Sequence, residues 1–308
     1  MVRVFIDGSA GTTGLRIRER LSERRGISLI TLPEERRKDA AARAEALNAA
    51  DVAFLCLPDA AAIEAAALVD NPATVVIDTS TAHRVAPGWT YGMPELPGAR
   101  DALRTSKRIA NPGCHASGFI LLAAPLVRAG LLGRDAALSV FSLTGYSGGG
   151  KKMIAQYEAD GRDPLLDAPR QYALGQSHKH LPEMARHAGV DAAPVFCPVV
   201  ADFPSGMEVT VPLHARDLRG TPDDIAAAYR EAYPAGGVVR FVENAGEDGF
   251  LSAAVLSGSD AMAVSLHGNP ERLILVARYD NLGKGASGAA IQNMNIALGL
   301  PETEGLSL

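Results

Sequence analysis

Short apolar runs alternate with amphipathic segments through the first third of the chain. The runs at 2–6, 27–32, 51–57 and 74–77 are short and β-rich, and 51–57 is almost continuously apolar. Such a run is typical of a strand buried on both faces. The segments 15–24, 39–49 and 60–69 have the composition and spacing of helices. This alternation predicts a doubly wound, parallel α/β sheet.

The pattern changes after about residue 113. An apolar helix is predicted over 116–128, and longer β-rich runs follow at 137–143, 195–200, 207–214, 238–242, 261–267 and 272–279. Few helical segments separate these runs, so they predict a mostly antiparallel sheet in an α+β domain. The tail is again helical, over 286–298.

Composition narrows the range of functions. A length of 308 residues suggests about two domains, and a net charge of −5 argues against a nucleic-acid-binding surface. No stretch approaches the roughly 20 apolar residues of a membrane span, and the first residues lack the apolar core of a signal peptide. Three scattered cysteines do not make a disulfide framework. We therefore expect a cytoplasmic protein with reduced thiols and no membrane partner.

A glycine-rich loop directly follows the first predicted strand and opens the first helix. It reads Gly8, Ser9, Ala10, Gly11, Thr12, Thr13, Gly14, a G-x-x-G-x-x-G variant of the dinucleotide-binding motif. Glycines permit close backbone approach to a pyrophosphate, and the helix N-terminus offers free N–H groups. The alternative is an ordinary glycine-rich turn between strand and helix.

The end of the second predicted strand bears on which dinucleotide binds. An NAD enzyme usually carries Asp or Glu there, whereas this strand ends Thr31-Leu32-Pro33 and is followed by Arg36, Arg37 and Lys38. Basic groups suit a 2′-phosphate, so NADP(H) is favoured, with Arg36 as a candidate ligand. Glu34 and Glu35 weaken this inference, and a solvated helix start is the alternative.

Cys114 is the candidate nucleophile. It follows the turn Asn111-Pro112-Gly113 and begins the apolar helix, where unpaired N–H groups and the helix dipole stabilise a thiolate. Cys56 and Cys197 lie in predicted strands and are interpreted as packing residues. A cysteine nucleophile beside a nicotinamide coenzyme predicts an acyl-enzyme thioester that is reduced by hydride.

The segment His178-Lys179-His180 supplies a candidate acid/base. A histidine near neutrality can take a proton from the thiol and return it to the product oxygen. A zinc site and a structural histidine pair are the alternatives. No cysteine next to the pair completes a ligand set, so we predict no metal.

Two further stretches suit anion binding. The segment 78–84 follows the fourth predicted strand and brings Ser80 and Arg84 to the edge where such sheets bind ligands. The segment 145–152 is interpreted as a flexible loop in which Gly149 and Lys151 could cradle an anion. A surface arginine and a merely mobile loop are the alternatives.

These stretches together resemble the N-acetyl-γ-glutamyl-phosphate reductases, in their short (type 2) form. The matching segments span nearly the whole chain in the family's order: FIDGSAGTTG at 5–14, NPGC at 111–114, GYSGGGKK at 145–152, HKHLPEM at 178–184, and DNLGKGASG at 280–288 with QNMN at 292–295. Each segment is modestly specific, and the set is highly specific.

The resemblance implies NADPH-dependent reduction of N-acetyl-γ-glutamyl phosphate, a small acyl phosphate, to the semialdehyde in arginine biosynthesis. It implies a fold similar to aspartate-semialdehyde dehydrogenase and a homodimer or homotetramer. Residues 1–113 and 285–308 would form the Rossmann-type coenzyme domain, and 114–284 the catalytic and oligomerisation domain. Sister reductases of aspartyl or carrier-bound aminoadipyl phosphate and a non-catalytic NADPH sensor are the competing functions.

The resemblance also assigns roles to residues. Cys114 would be the nucleophile, and His180, or else His178, the acid/base. Residues that would contact the coenzyme or the substrate include Asn281, Lys284, Gly285, Asn111, Gly149 and Lys151. The chain departs from the family where Tyr usually follows the cysteine, because His115 stands there. A protonated His115 could stabilise the thiolate, but we expect it to replace the tyrosine as an aromatic filler.

Overall fold

The computed structural model describes all 308 residues, Met1–Leu308, which form two compact units. The first comprises Met1–Pro112 and Ala286–Leu306, and the second comprises Gly113–Gly285 and Ser307–Leu308. The chain therefore enters the second unit at Gly113, the residue before Cys114, and leaves it after Gly285. No helix is long and apolar enough to cross a membrane.

The first unit is built on a six-stranded sheet in the order β2-β1-β3-β4-β6-β5, in which every pairing is parallel. Its strands are β1 (Val2–Asp7), β2 (Ile27–Ile30), β3 (Val52–Leu55), β4 (Val75–Asp78), β5 (Thr90–Tyr91) and β6 (Arg108–Ala110). Its helices are α1 (Thr12–Ser22), α2 (Ala40–Ala49), α3 (Asp59–Ala67), α4 (Ala99–Thr105) and, near the C-terminus, α9 (Gly288–Ala297).

Alternate residues of these strands bury apolar side chains on opposite faces of the sheet. Val4 and Phe54 belong to a core that includes Ile17 of α1 and Met294 of α9. Phe5 belongs to the core on the other face. Burial on both faces explains why the strands are continuously apolar in sequence.

The second unit is built on a seven-stranded mixed sheet in the order β11-β12-β13-β10-β7-β9-β8. Four of its six pairings are antiparallel, and the pairs β11–β12 and β7–β9 are parallel. Its strands are β7 (Ser139–Gly145), β8 (Arg170–Gln171), β9 (Val195–Ala201), β10 (Met207–His214), β11 (Val239–Phe241), β12 (Met262–Gly268) and β13 (Arg272–Tyr279). Its helices are α5 (Cys114–Arg128), α6 (Gly150–Tyr157), α7 (Leu181–Ala188) and α8 (Pro222–Ala232).

Helix α5 is the apolar centre of this unit and packs on β10, β13, α7 and α8. Pro125 lies inside it and has no N–H to bond the carbonyl four residues earlier. That carbonyl, of Leu121, instead accepts the hydroxyl of Tyr233 at 2.6 Å, and the Leu122 carbonyl accepts Tyr229 at 2.7 Å. The helix that begins at the candidate nucleophile is thus held in place by apolar packing and by hydrogen bonds from two tyrosines.

The predicted fold class is confirmed: a parallel α/β sheet precedes a mostly antiparallel α+β sheet. The β-rich runs at 207–214 and 272–279 coincide with β10 and β13, and the apolar helix begins at Cys114 rather than at residue 116.

Candidate active site

Two glycines of the loop after β1 are required by the geometry of the loop itself. Gly8 has φ +85°, and a Cβ there would lie 2.2 Å from the carbonyl oxygen of Cys56. A Cβ on Gly14, in the first turn of α1, would lie 2.5 Å from the Gly8 carbonyl oxygen. The helix therefore packs directly on the loop, which places its N-terminal N–H groups at the carboxyl edge of the sheet.

The third glycine has no such internal requirement. A Cβ on Gly11 would meet the Gly8 oxygen at 3.5 Å, an ordinary contact, and Gly11 has φ −73°. The hydroxyl of Thr12, the first residue of α1, is buried and makes no hydrogen bond within the chain. An open glycine and an unused hydroxyl at a helix N-terminus fit a bound pyrophosphate.

A cavity of about 690 Å³ adjoins this loop, within the size range of small-molecule sites. Gly8, Ser9 and Ala10 line one part of it, and residues 29–34, which comprise the end of β2 and the segment after it, line another. The carboxyl end of β1 is also fixed electrostatically, because Arg43 in the cavity wall pairs with buried Asp7 at 2.8 Å. The residues present fit a dinucleotide.

Basic side chains surround the part of the cavity beside β2. Arg18, Arg37 and Lys38 line it. Arg36 does not; its guanidinium lies 4.0 Å from Asp39, the N-cap of α2. The candidate ligands of a 2′-phosphate are therefore the two residues that follow Arg36, together with Arg18 from α1, which the sequence analysis did not single out.

The residues after β4 form a buried polar cluster. Ser80 donates its hydroxyl to Asp78 at 2.7 Å, and the same carboxylate contacts His83 at 2.6 Å. Arg84 is buried and donates to the carbonyl oxygens of Asn111 (2.9 Å) and Thr79 (3.1 Å). These contacts hold Ser80 and Arg84 in fixed positions at the carboxyl edge of the sheet.

Asn111, at the end of β6, is engaged on both sides of its amide. Its Nδ2 donates to the Ala286 carbonyl at 3.1 Å, and its Oδ1 accepts from Asn293 at 3.0 Å. The Asn111 side chain therefore links the end of β6 to α9 and to Ala286, two residues before that helix.

Cys114 is the first residue of α5, and Gly113 is its N-cap with no side chain to satisfy the first turn. The Gly113 N–H donates to the carboxylate of Glu183, which is buried at the start of α7, at 2.7 Å. The Tyr279 hydroxyl donates to the Cys114 carbonyl and accepts the Gly118 N–H at 3.1 Å. The backbone around the thiol is thus anchored by three hydrogen bonds to two side chains, Glu183 and Tyr279.

Gly285 lies against the nucleophile, since a Cβ there would come within 3.0 Å of the Cys114 Cβ. Asn281, which was predicted to contact the coenzyme or the substrate, accepts the Gly206 N–H at 2.9 Å and donates to Ser147 at 3.1 Å. Lys284 is buried. The absence of a side chain at position 285 leaves room beside the sulfur.

The two candidate bases sit beside the residue that follows the nucleophile. His180 is the N-cap of α7 and is buried, and its ring centroid lies 4.6 Å from that of His178. The two rings lie 5.7 and 5.9 Å from the ring of His115. No group of three or more His, Cys, Asp or Glu side chains in the chain is arranged to hold a metal ion.

The segment 145–152 is ordered, which corrects its interpretation as a flexible loop. Residues Tyr146–Gly149 form a 3₁₀ turn that leads into α6, and Lys151 is exposed in the first turn of that helix. Tyr146 stacks on Tyr157 at 4.8 Å and anchors the segment. A Cβ on Gly149 would meet the side chain of Met153 at 2.4 Å.

The other cysteines differ from Cys114 in setting. Burial raises the pKa of the Cys56 thiol to about 12, so it is a protonated side chain under the glycine loop. Cys197 lies within β9.

Sequence reasoning assigned no role to Tyr172 and Ser142, which both bond the ring of His115. Nδ1 of His115 lies 2.6 Å from the Ser142 hydroxyl, and Nε2 of His115 lies 2.7 Å from the Tyr172 hydroxyl. Burial and the neighbouring His178 lower the pKa of His115 to about 3. The neutral ring is therefore favoured near neutral pH, which argues against a protonated stabiliser, and the ring is hydrogen-bonded on both nitrogens.

Family models match both units. Residues 114–281 match "Semialdehyde dehydrogenase, dimerisation domain", and residues 3–105 match "Semialdehyde dehydrogenase, NAD binding domain". The second match confirms the predicted dinucleotide-binding domain.

Curated relatives agree with these family models, and solved structures share the fold. The chain is 43% identical to N-acetyl-γ-glutamyl-phosphate reductase 2 of Pseudomonas putida, with 98% of each chain covered. It is 46% identical to the reductase of Mesorhizobium japonicum over 97% of this chain and 99% of the relative. In fold it resembles aspartate semialdehyde dehydrogenase II of Vibrio cholerae, with a TM-score of 0.72, 16% identity, and 97% and 98% of the two chains covered.

Proposed function

Because this chain belongs to the N-acetyl-γ-glutamyl-phosphate reductase family, we propose that it reduces N-acetyl-γ-glutamyl phosphate to N-acetylglutamate 5-semialdehyde and phosphate in arginine biosynthesis. The observation that carries the proposal is the position of Cys114. It opens a buried helix at an uncapped N-terminus, beside a pair of histidines, in a chain that also carries a dinucleotide-binding domain.

The coenzyme is NADP(H), which when bound supplies the hydride that reduces the thioester. The loop Gly8–Gly14 and the Thr12 hydroxyl would hold its pyrophosphate. Arg37 and Lys38, which line the cavity beside β2, receive the 2′-phosphate. Neither role needs any group outside the first unit.

Cys114 carries the covalent step. Its thiolate attacks the γ-carbonyl carbon, a C–S bond forms, and the bond from that carbon to the phosphate oxygen breaks with its electron pair leaving on phosphate. The helix N-terminus stabilises the thiolate before the attack. Arg84, held by two backbone carbonyls, is the proposed ligand of the departing phosphate.

His180 carries the proton. It accepts the thiol proton before the attack and donates one to the product oxygen after reduction, and it accepts that proton again as the C–S bond breaks and the aldehyde leaves. We assign this role to His180 rather than His178 because His180 is the buried N-cap of α7, the helix that also holds Glu183 against Gly113.

The test is the reverse assay. NADP⁺, phosphate and N-acetylglutamate 5-semialdehyde are supplied, and NADPH formation is followed by its ultraviolet absorbance. Activity should be abolished by prior thiol alkylation. Higher activity with aspartate or aminoadipate semialdehyde would assign the chain to a sister reductase, and coenzyme binding without turnover would indicate a sensor.

Matched variants test whether Cys114 is the nucleophile and His180 the acid/base. Cys114→Ser should lower turnover by several decades, because a hydroxyl is a far poorer nucleophile at neutral pH, while Cys197→Ser should remain active. His180→Asn should cost about 10²–10⁴-fold in turnover. Near-normal turnover of Cys114→Ser would refute the covalent route, and a loss seen only in His178→Asn would reverse the assignment of the base.

We also propose that the protein assembles as a homodimer or homotetramer through the second sheet. Phe141, Val195 and Ile274 share the face opposite α5 and are 52%, 56% and 41% exposed. An apolar sheet face of this kind usually marks an interface. The family model over these strands is named a dimerisation domain. A cytoplasmic location stays a prediction from the sequence.

Light scattering after size-exclusion chromatography tests the assembly. Phe141→Asp should give monomers, whereas Phe250→Asp, at a 77% exposed site outside the sheet, should not. Unchanged assembly of Phe141→Asp would contradict this interface.

A further inference from the structure

Helix α5, which begins at the candidate nucleophile, has neither half of a capping box of its own. In a capping box the N-cap side chain bonds the first turn, and a Glu or Gln three residues later accepts the N–H of the N-cap residue. In α5 these two positions hold Gly113 and Ala116, and neither has a polar side chain. Both residues are buried, so the Gly113 N–H needs an acceptor from another part of the fold.

Glu183 of α7 is that acceptor. Its Oε1 accepts the Gly113 N–H at 2.7 Å, and the residue is only 1% exposed. Glu183 is the third residue of α7, the position from which a capping-box glutamate normally bonds the N-cap of its own helix. The glutamate of one helix therefore completes the N-terminus of the other.

A different residue bonds the N-cap of α7. The backbone N–H of His180 donates to Nδ1 of His178 at 3.2 Å. Because a backbone N–H can only donate, Nδ1 of His178 carries no proton, and in a neutral ring the proton is on Nε2. While this bond holds, His178 has no lone pair with which to take a thiol proton, which supports His180 as the base.

The bond from Glu183 to Gly113 connects the first turns of the two helices that carry the proposed chemistry. Gly113 directly precedes Cys114, and Glu183 lies three residues after His180. The two helices also pack against each other. A tilt of either first turn would change the separation of the thiol and the imidazole, and a misplacement of about 1 Å can cost about 10²-fold in rate.

We propose that Glu183 is a positioning residue that fixes the N-terminus of α5 against that of α7 and thereby holds Cys114 in reach of His180. The role requires an acceptor oxygen at this position and does not require its negative charge. The proposal deepens the proposed function and rests on it for the roles of Cys114 and His180.

The experiment measures the rate of iodoacetamide alkylation at Cys114 at neutral pH, by site-resolved mass spectrometry of the full-length protein. Three substitutions separate position from charge. Glu183→Gln keeps an acceptor oxygen at the same place without the charge. Glu183→Asp keeps the charge but withdraws the oxygen by about 1.5 Å, one C–C bond length. Glu183→Ala removes both.

We expect the Gln variant to keep most of the wild-type alkylation rate, and the Asp and Ala variants to lose at least about 10-fold. In the reverse assay kcat should follow the same order, with losses of about 10²-fold for Asp and Ala and little change in the KM for the semialdehyde.

Ala185→Gly is the matched control for stability. Ala185 lies in the middle of α7 and is half-buried, and glycine there weakens the helix without removing the bond to Gly113. This variant should melt at a lower temperature than the wild type and keep both rates near wild-type values. Thermal melting of every variant establishes that it is folded at the assay temperature.

Each outcome bears on the proposal. Wild-type rates in folded Glu183→Asp or Glu183→Ala would overturn it, as would a Gln variant that reacts as slowly as the Asp variant. If the Ala variant does not fold, the comparison of Gln with Asp decides. Alkylation needs neither substrate nor coenzyme. An inactive reverse assay with the expected order of alkylation rates would therefore refute the proposed reaction and leave the positioning role standing.

Discussion

Alanine substitutions in the glycine loop separate the packing of the loop from the approach of a ligand. At position 14 an added Cβ would lie 2.5 Å from the Gly8 carbonyl oxygen and 3.0 Å from the Cα of Ser9. At position 11 the nearest atom, the same Gly8 oxygen, is 3.5 Å away. Gly14→Ala therefore strains the free protein, whereas Gly11→Ala does not.

The magnitudes follow from these contacts. A methyl group forced into packed surroundings typically costs about 1–3 kcal/mol, which at about 2–4 °C per kcal/mol lowers the Tm by about 2–12 °C. Gly11→Ala should leave the Tm nearly unchanged. It places a methyl group where the pyrophosphate approaches the backbone, and one lost hydrogen bond to a charged group, about 1.5–3 kcal/mol, weakens binding by about 10- to 100-fold.

Thermal melting and NADPH titration by fluorescence measure the two effects on the same samples. Gly14→Ala should lose both stability and affinity, because the helix must move away from the loop to admit the methyl group. An unchanged Kd for Gly11→Ala would refute close approach of phosphate to this loop. An unchanged Tm for Gly14→Ala would show that α1 does not pack on Gly8 as described.

Three further outcomes are expected. Arg37→Ala should reduce kcat/KM for NADPH by about 10-fold with little effect on NADH, while Arg36→Ala, whose side chain lies outside the cavity, should change neither steady-state value. Burial lowers the pKa of His115 from 6.5 to about 3, so the unfolded chain binds the extra proton between those values. The free energy of unfolding should therefore fall by about 1.4 kcal/mol per pH unit below pH 6.5, in urea titrations, and His115→Gln should remove that slope. Tyr279→Phe should destabilise the protein by about 1 kcal/mol through its lost bond to the Cys114 carbonyl, also by urea titration.

The fold could be predicted where one local pattern decides the structure. Strand β3 is apolar at every position because both faces of its sheet are covered, and β10 alternates because only one face is. The segment 145–152 was misread because four of its eight residues are glycine. The stacking of Tyr146 on Tyr157 orders it, and that contact is tertiary.

The residues of the candidate site likewise include some that a local sequence pattern predicts and others that only the fold brings together. Cys114 could be found because a turn, a cysteine and an apolar helix are consecutive in sequence. The sequence could not show that Arg37 rather than Arg36 lines the cavity. The directions of these two adjacent side chains depend on the turn before α2, which the sequence pattern does not reveal. Ser142 and Tyr172 come from two strand regions with no local motif, and only the fold brings them to the ring of His115.

A neutral residue at position 115 suits the chemistry better than a cation would. An imidazolium beside the sulfur would stabilise the thiolate, but a thiolate of lower basicity is also a weaker nucleophile. Burial keeps His115 uncharged, and its two hydrogen bonds give it a fixed tautomer. Stabilisation of the thiolate is then left to the N-terminus of α5, and the sulfur keeps the basicity that attack on the acyl phosphate requires.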